Sequence, residues 1–213
     1  MARKNSDMAL VLVGLVLVGI AYRGSKRGAK PTAFRTWNTA DVDAFVREIQ
    51  PMGIPLEAVL AVYAAESGLD PRASSGIAWG LCQAIESTLK GAGWFASHKR
   101  ASEFGQLTVA EQAPWLARIM ASQIRMIGFT PDNALDFYVA NFSPLAARNH
   151  ADVLYRQGTS AYDKNRGLDR GKKGYIDRAD LQAALDRARQ TAAYRNTLAQ
   201  VQAVAARKVA SNG

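Results

Sequence analysis

The chain has 213 residues and a formal net charge of +9, with one cysteine and two histidines. That length fits one core of ordinary size plus appendages, and the Cys and His count excludes an internal disulfide framework and a zinc site of the usual ligand number. The charge is uneven: residues 1–36 carry a net +6, residues 37–144 a net −4 and residues 145–213 a net +7. A mildly acidic middle argues against nucleic acid as a substrate. Basic ends suit an anionic surface such as lipid headgroups or a packaged genome, or are simply solvated helix faces.

Met8 to Tyr22 contains no charged residue and is bounded by Asp7 and Arg23. Fifteen residues of helix span about 22 Å, within reach of a bilayer core of about 30 Å if flanking side chains snorkel. A signal peptide is the competing reading, since Arg3 and Lys4 form a basic leader. Against cleavage, Arg23, Lys26, Arg27 and Lys30 follow the run, and Gly19-Ile20-Ala21 is a poor small-residue site. The expectation is an uncleaved anchor and basic linker over residues 1–30. Four basic residues after the run and two before it favour the rest of the chain on the cytoplasmic side.

A helix is expected from Asn38 or Thr39 to Gln50, stopped by Pro51 and Gly53. Pro55 fits a first helical position and Gly68 a C-terminal stop, so residues 55–67 read as the next helix. Val59, Val62, Tyr63 and Glu66 recur at i, i+3, i+4 and i+7, placing the Glu66 carboxyl on the apolar stripe, with Glu57 off it. A carboxyl at the negative pole of a helix, and partly buried, is driven toward its protonated form. That is the state a general acid needs. The plain alternative is a glutamate near a helix end pointing into water. Farther on, Glu86 to Gly91 reads as a short helix. Thr108-Val109-Ala110-Glu111 is a capping box opening a long helix that Gly128 ends. Thr130-Pro131 opens another, running to about Phe142 with Pro144 breaking it. Strand period is weak between residues 31 and 145, with room for a small hairpin at 72–83, and there is no internal repeat.

Downstream of Glu66 the chain continues Ser67-Gly68-Leu69-Asp70-Pro71, then Ser74-Ser75-Gly76-Ile77-Ala78-Trp79-Gly80-Leu81-Cys82-Gln83. This resembles the Glu-Ser-Gly and Gly-Leu-Met-Gln signature of the soluble lytic transglycosylases, which have the goose-lysozyme-like fold and cleave peptidoglycan glycan strands. Thr88 extends the likeness. Phe137-Tyr138-Val139-Ala140-Asn141-Phe142-Ser143-Pro144 stands where the family has Ala-Tyr-Asn-Ala-Gly. Aligning Asn141 leaves Tyr138 two residues early, yet the pair is i, i+3 and shares one helix face. Glu86 replaces a usual proline and Cys82 a usual methionine. The Asn-Phe-x-Pro variant, preceded by Glu111-Gln112, is more similar to the transglycosylase-like modules of phage particles. The resemblance covers roughly residues 42–145.

It implies a mainly α, lysozyme-like fold, α+β at most with a small hairpin. The expected organisation is an N-terminal transmembrane helix, a catalytic domain over residues 31–145 and a basic helical C-terminal tail over residues 146–213. It also implies a lytic transglycosylase that needs no metal or organic cofactor, with Glu66 as catalytic acid and Ser67, Ser75, Gln83, Tyr138 and Asn141 as substrate-binding residues. Ser67 could instead cap, Ser75 turn and Gln83 hold turn backbone. Asp70 is better explained by the turn before Pro71 than as a second catalytic acid. A thiol peptidase built on Cys82 and a histidine has no local signature behind it. The expected partners are peptidoglycan strands, a membrane through residues 8–22, and other virion proteins. Peptidoglycan is not cytoplasmic, so either the chain is translocated against that bias into the bacterial cell envelope, or it is assembled from the cytoplasm into a phage particle that delivers the enzyme. The charge bias around residues 23–30 favours the second. The rival from another class is an inactive structural membrane protein of a virion or secretion channel.

In the tail, Asp169 to Asp180 counts as a twelve-residue EF-hand loop with Asp at positions 1, 9 and 12, Gly174 at 6 and Ile176 at 8. Gly171 and Lys173 stand at ligand positions 3 and 5. A lysine there disfavours a dication and can itself neutralise the carboxylates, so the loop is expected to be structural.

Overall fold

The computed structural model describes residues 37–212; the uncharged run at 8–22 lies outside them. The described chain is mainly helical, with two separate two-stranded sheets. None of its helices is long and apolar enough to cross a membrane.

Helix α1 spans Thr39–Ile49 and starts where a capping box puts it. The Asn38 side chain accepts from the Asp41 amide at 2.9 Å, and Asp41 accepts back from the Asn38 amide at 3.3 Å. The other Asp41 oxygen accepts from Ala110 N at 3.0 Å, in the first turn of α4, Val109–Ile127. One carboxylate therefore satisfies free amide groups at two helix starts and pins α1 to α4. Thr108 and Glu111 form the expected capping box of α4, and Gly128 ends it with φ 89°.

Helix α2, Leu56–Ser67, is the centre of the molecule. Pro55 takes the N-cap position rather than the first helical one, and Gly68 closes the helix at φ 64°. The expected single apolar stripe is too narrow. Residues Ala58 to Ala64 are all buried, so α2 is packed on every side. It packs against α5 (Ala134–Phe142), α8 (Arg178–Arg189) and α9 (Ala192–Asn212). Alanines at 58, 61 and 64 make that close approach possible. The side of α2 that the sequence pattern assigned to solvent is covered by chain more than a hundred residues away.

Strands β1 (Ala78–Trp79) and β2 (Ala84–Ile85) form the small hairpin, antiparallel, and α3, Glu86–Gly91, follows directly. Helix α5 starts later than Thr130-Pro131. Asn133 is its cap, accepting from Asp136 N at 2.9 Å, because an Asx cap satisfies an amide that proline cannot. Pro144 does not merely break this helix but opens a short one, α6, Pro144–Arg148.

The C-terminal region is more than a helical tail. Strand β3 (Val153–Arg156) pairs with β4 (Tyr175–Asp177) around a short helix α7, Ser160–Asn165. The core is continuous from Trp37 to Val204 and takes in Leu154, Ile176, Leu181 and Leu185. Tyr155 adds a polar tie, donating its hydroxyl to Phe142 O at 2.8 Å.

The EF-hand-like loop is held by hydrogen bonds and ion pairs of its own side chains. Asp169 accepts from the amides of Lys173 and Gly174, each at 2.8 Å, and from the Tyr162 hydroxyl at 2.7 Å. The Lys173 ammonium lies 2.7 Å from Asp177 and 3.0 Å from Asp180, so it neutralises both carboxylates at the start of α8. Those carboxylates hold its pKa above the ordinary lysine value. Calcium at millimolar concentration is expected to leave the melting temperature unchanged, since a ligand that does not bind cannot stabilise by mass action. Replacing the ammonium by Lys173→Met should lower the melting temperature by a few degrees at low salt. A calcium-dependent rise in the wild-type protein would contradict the arrangement.

Candidate active site

The segment from the end of α2 through the turn of the hairpin is strained, and a specific set of side chains holds it. Leu69 and Gln83 carry positive φ, 66° and 47°, a conformation that side chains with a Cβ adopt at a cost. Trp37 donates its indole N–H to Leu69 O at 3.0 Å. Asp70 accepts from Arg72 N at 2.9 Å, an Asx turn that occupies one of its carboxylate oxygens. Gln112, fully buried on α4, accepts from Leu81 N at 3.0 Å and donates to Pro71 O at 2.6 Å. Its amide also reaches the carbonyls of Phe104 and Leu107, both at 3.2 Å. Gly80 is fixed by this packing: a Cβ there would lie 2.5 Å from the Phe104 ring and 2.7 Å from the Gln112 side-chain oxygen. Gln112 was missed as a site-building residue. The signal for it was a polar side chain between Val109 and Ala113 on the buried face of α4.

Three of the expected binding residues serve this turn and its helix. Ser67 donates back to Tyr63 O at 2.8 Å. The Ser75 hydroxyl accepts from Ala78 N at 3.2 Å. Gln83 is buried, and its amide donates to Ala73 O and Gly80 O at 3.1 and 3.0 Å, leaving its side-chain oxygen without a partner.

Glu66 differs from all of these. It is 2 % exposed, and neither carboxyl oxygen has a partner at hydrogen-bond geometry. Burial pushes its pKa up to about 8, against a smaller opposing pull from the Tyr138 hydroxyl beside it. The phenol is thus close enough to favour the anion, although it makes no well-formed hydrogen bond. Tyr138 is itself buried, and its own ionisation is pushed up by burial and then by the charge of Glu66. Asn141 lies one turn along α5, as the i, i+3 spacing requires, and its side-chain oxygen accepts from Gln123 at 2.8 Å. Its amide nitrogen and the Gln123 oxygen are unpartnered. Gln123, another polar residue in the buried stripe of α4, was also missed. Orphaned buried polar atoms are rare in folded proteins and mark functional sites or bound molecules.

Cys82 lies in the same interior, where burial and then Glu66 push its thiol up to about 12. A nucleophilic cysteine needs the opposite shift. The histidines are elsewhere, with His98 stacked on Trp94 and His150 on Phe129.

An open cleft of about 680 Å³ runs beside the hairpin. Its walls include Ile77 and Trp79, Glu86 and Lys90, and Lys164 from α7. Glu66, Tyr138 and Asn141 are not among its lining residues. No protein-family model, curated protein or solved structure matches the chain.

The raised pKa of Glu66 has a consequence for stability. Unfolded, the carboxyl ionises above its ordinary value of 4.5; folded, it holds its proton to about 8. The folded state therefore binds more protons between those values, and stability falls as pH rises through the window. Glu66→Gln removes that linkage. The variant should be more stable than wild type at pH 8, by an amount on the order of 3 kcal/mol, seen as several degrees in melting temperature. The gap should close as pH falls toward 4.5. Equal melting temperatures across the range would show that the carboxyl is not buried in this way.

Proposed function

We propose that the protein is a peptidoglycan lytic transglycosylase that cleaves the MurNAc–GlcNAc β-1,4 bond and leaves 1,6-anhydro-MurNAc ends. The observation that carries the reading is a buried carboxylic acid, Glu66, that has no hydrogen-bond partner on either oxygen; burial pushes its pKa up to about 8, and a phenol lies beside it. The lysozyme-like fold belongs to the same proposal; the small hairpin and the central helix bearing the acid support it.

In this scheme Glu66 donates its proton to the glycosidic oxygen as the bond from that oxygen to C1 of the muramyl residue breaks. Charge left on the carboxylate is stabilised by the Tyr138 hydroxyl. The carboxylate then takes the proton of the muramyl 6-hydroxyl while O6 bonds to C1, which returns Glu66 to its starting state. Nothing is consumed, so no water or second catalytic carboxylate is required. Asn141, with its oxygen engaged by Gln123, has an amide N–H left to donate to a sugar. Gln83, Ser67 and Ser75, the other expected substrate-binding residues, also bond backbone groups of the helix end and the turn.

The setting we infer is a membrane anchor at residues 8–22 in a phage particle, with other virion proteins as neighbours and a local opening of the cell wall as the task. The basic run at 23–30 supports assembly from the cytoplasmic side. The second reading, a structural virion or channel protein without activity, draws support from the enclosure of Glu66 away from the open cleft.

Glu66→Gln should abolish muropeptide release from purified sacculi while leaving a folded protein. Wild-type products should carry anhydro-muramyl ends by mass spectrometry. The rate should fall as pH rises through about 8, because the active form is protonated. Reducing ends would make the enzyme a lysozyme-type hydrolase, and full activity in the variant would remove Glu66 from the mechanism. For the anchor, N-terminal sequencing of the native protein should begin at residue 1 or 2 in a lipid-containing fraction. A soluble chain beginning near Tyr22 would make the segment a signal peptide.

A further inference from the structure

We propose that helix α8 is a lid over the candidate active site, and that a glycan strand reaches Glu66 only after α8 moves off α2 and α5. The inference rests on the transglycosylase reading of Glu66, and the lid itself can be tested without any activity.

The argument begins with a mismatch. A general acid must touch the glycosidic oxygen it protonates, within hydrogen-bond distance. Glu66 and Tyr138 are 2 % and 1 % exposed, while the open cleft beside the hairpin is lined by neither. Neither oxygen of the acid makes a well-formed hydrogen bond, nor does the amide nitrogen of Asn141, so these buried polar groups are left incompletely satisfied by the chain. A buried site with idle donors and acceptors is built for an occupant that is not part of the chain.

What encloses it can be identified. Helix α8 packs against both α2, which carries Glu66, and α5, which carries Tyr138 and Asn141. Leu181 and Leu185 of α8 are fully buried. Two polar features register the helix on the site. Arg178, its first residue, forms an ion pair with Asp136 of α5. Arg187, near its other end, lies within electrostatic reach of the Tyr138 hydroxyl. The same C-terminal region supplies Lys164 to the wall of the open cleft. Removing α8 from α5 would therefore break one ion pair, withdraw one cation from Tyr138 and leave the acid's helix bare along one side. Lys173 ties the loop that precedes α8 to the helix's N-cap Asp177 and to Asp180 in its first turn.

Access to position 66 can be read directly by thiol labelling. In a Cys82→Ala background, Glu66→Cys places the sole cysteine at the acid's position, and Ile77→Cys in the same background gives an exposed control in the open cleft. The thiol at 66 should react with a small maleimide at least about a hundredfold more slowly than the control, as expected for a group reached only through rare local opening. Arg178→Ala should accelerate it by roughly two- to fivefold, the range that a partly exposed ion pair supports. Leu185→Ala should accelerate it further, with a urea dependence much weaker than that of global unfolding. A thiol at 66 that reacts as fast as the control would overturn the lid, as would a rate indifferent to Arg178→Ala. With Glu66 intact, Arg178→Ala should raise muropeptide release by the same factor as the labelling. Faster labelling with no release from any variant would keep the lid and remove the transglycosylase reading. Release by the wild type with position 66 freely labelled would do the reverse.

Discussion

The burial of the Glu66 carboxyl on the central helix α2 is the constraint on which the rest of this structure depends. A carboxylate in a low-dielectric interior without a partner is too costly to keep, so Glu66 holds its proton instead, to a pH of about 8. That outcome requires α2 to be wrapped by α5, α8 and α9, which in turn requires alanines along its length. The stability lost by holding a carboxyl in this state is offset by the surrounding apolar core. Sites of this kind commonly trade stability for reactivity.

Around that acid the molecule is organised by buried amides rather than by charge. Gln112 binds four backbone groups of the motif turn and its neighbours, which lets Leu69 and Gln83 hold strained conformations and leaves no room for a side chain at Gly80. Gln123 aligns Asn141. Both glutamines come from α4, which Asp41 fastens to α1. A long helix with two capped ends thus acts as the rail on which the turn and α5 are registered. The C-terminal region packs on α2 and α5 as well, and in its loop the Lys173 ammonium pairs with Asp177 and Asp180.

Much of this was legible in the sequence wherever a local rule decides. Asn38, Thr108, Gly68 and Gly128 mark helix ends by chemistry confined to a few residues, and those ends fall where expected. Lys173 at a ligand position signalled a self-neutralised loop. Local reading failed where distant chain intervenes. The stripe through Val59, Val62 and Glu66 is real, but Ala61 and Ala64 are buried as well, on a helix against which the distant α8 and α9 also pack. The start of α5 moved from Thr130-Pro131 to Asn133 because two adjacent cap signals compete and the Asx side chain makes the better bond. Gln83, expected as a sugar contact, gives its amide nitrogen to turn carbonyls and keeps its side-chain oxygen without a partner, a division that depends on which groups the fold leaves unsatisfied.

The most direct test of the central claim is the ionisation of Glu66 itself. With the protein labelled by ¹³C at glutamate side-chain carboxyls, the resonance lost in Glu66→Gln identifies the group, and its shift can be followed with pH. The account predicts a protonated carboxyl at pH 7 that titrates near 8. A resonance already in its carboxylate position at pH 6, titrating near the ordinary value of 4.5, would contradict it.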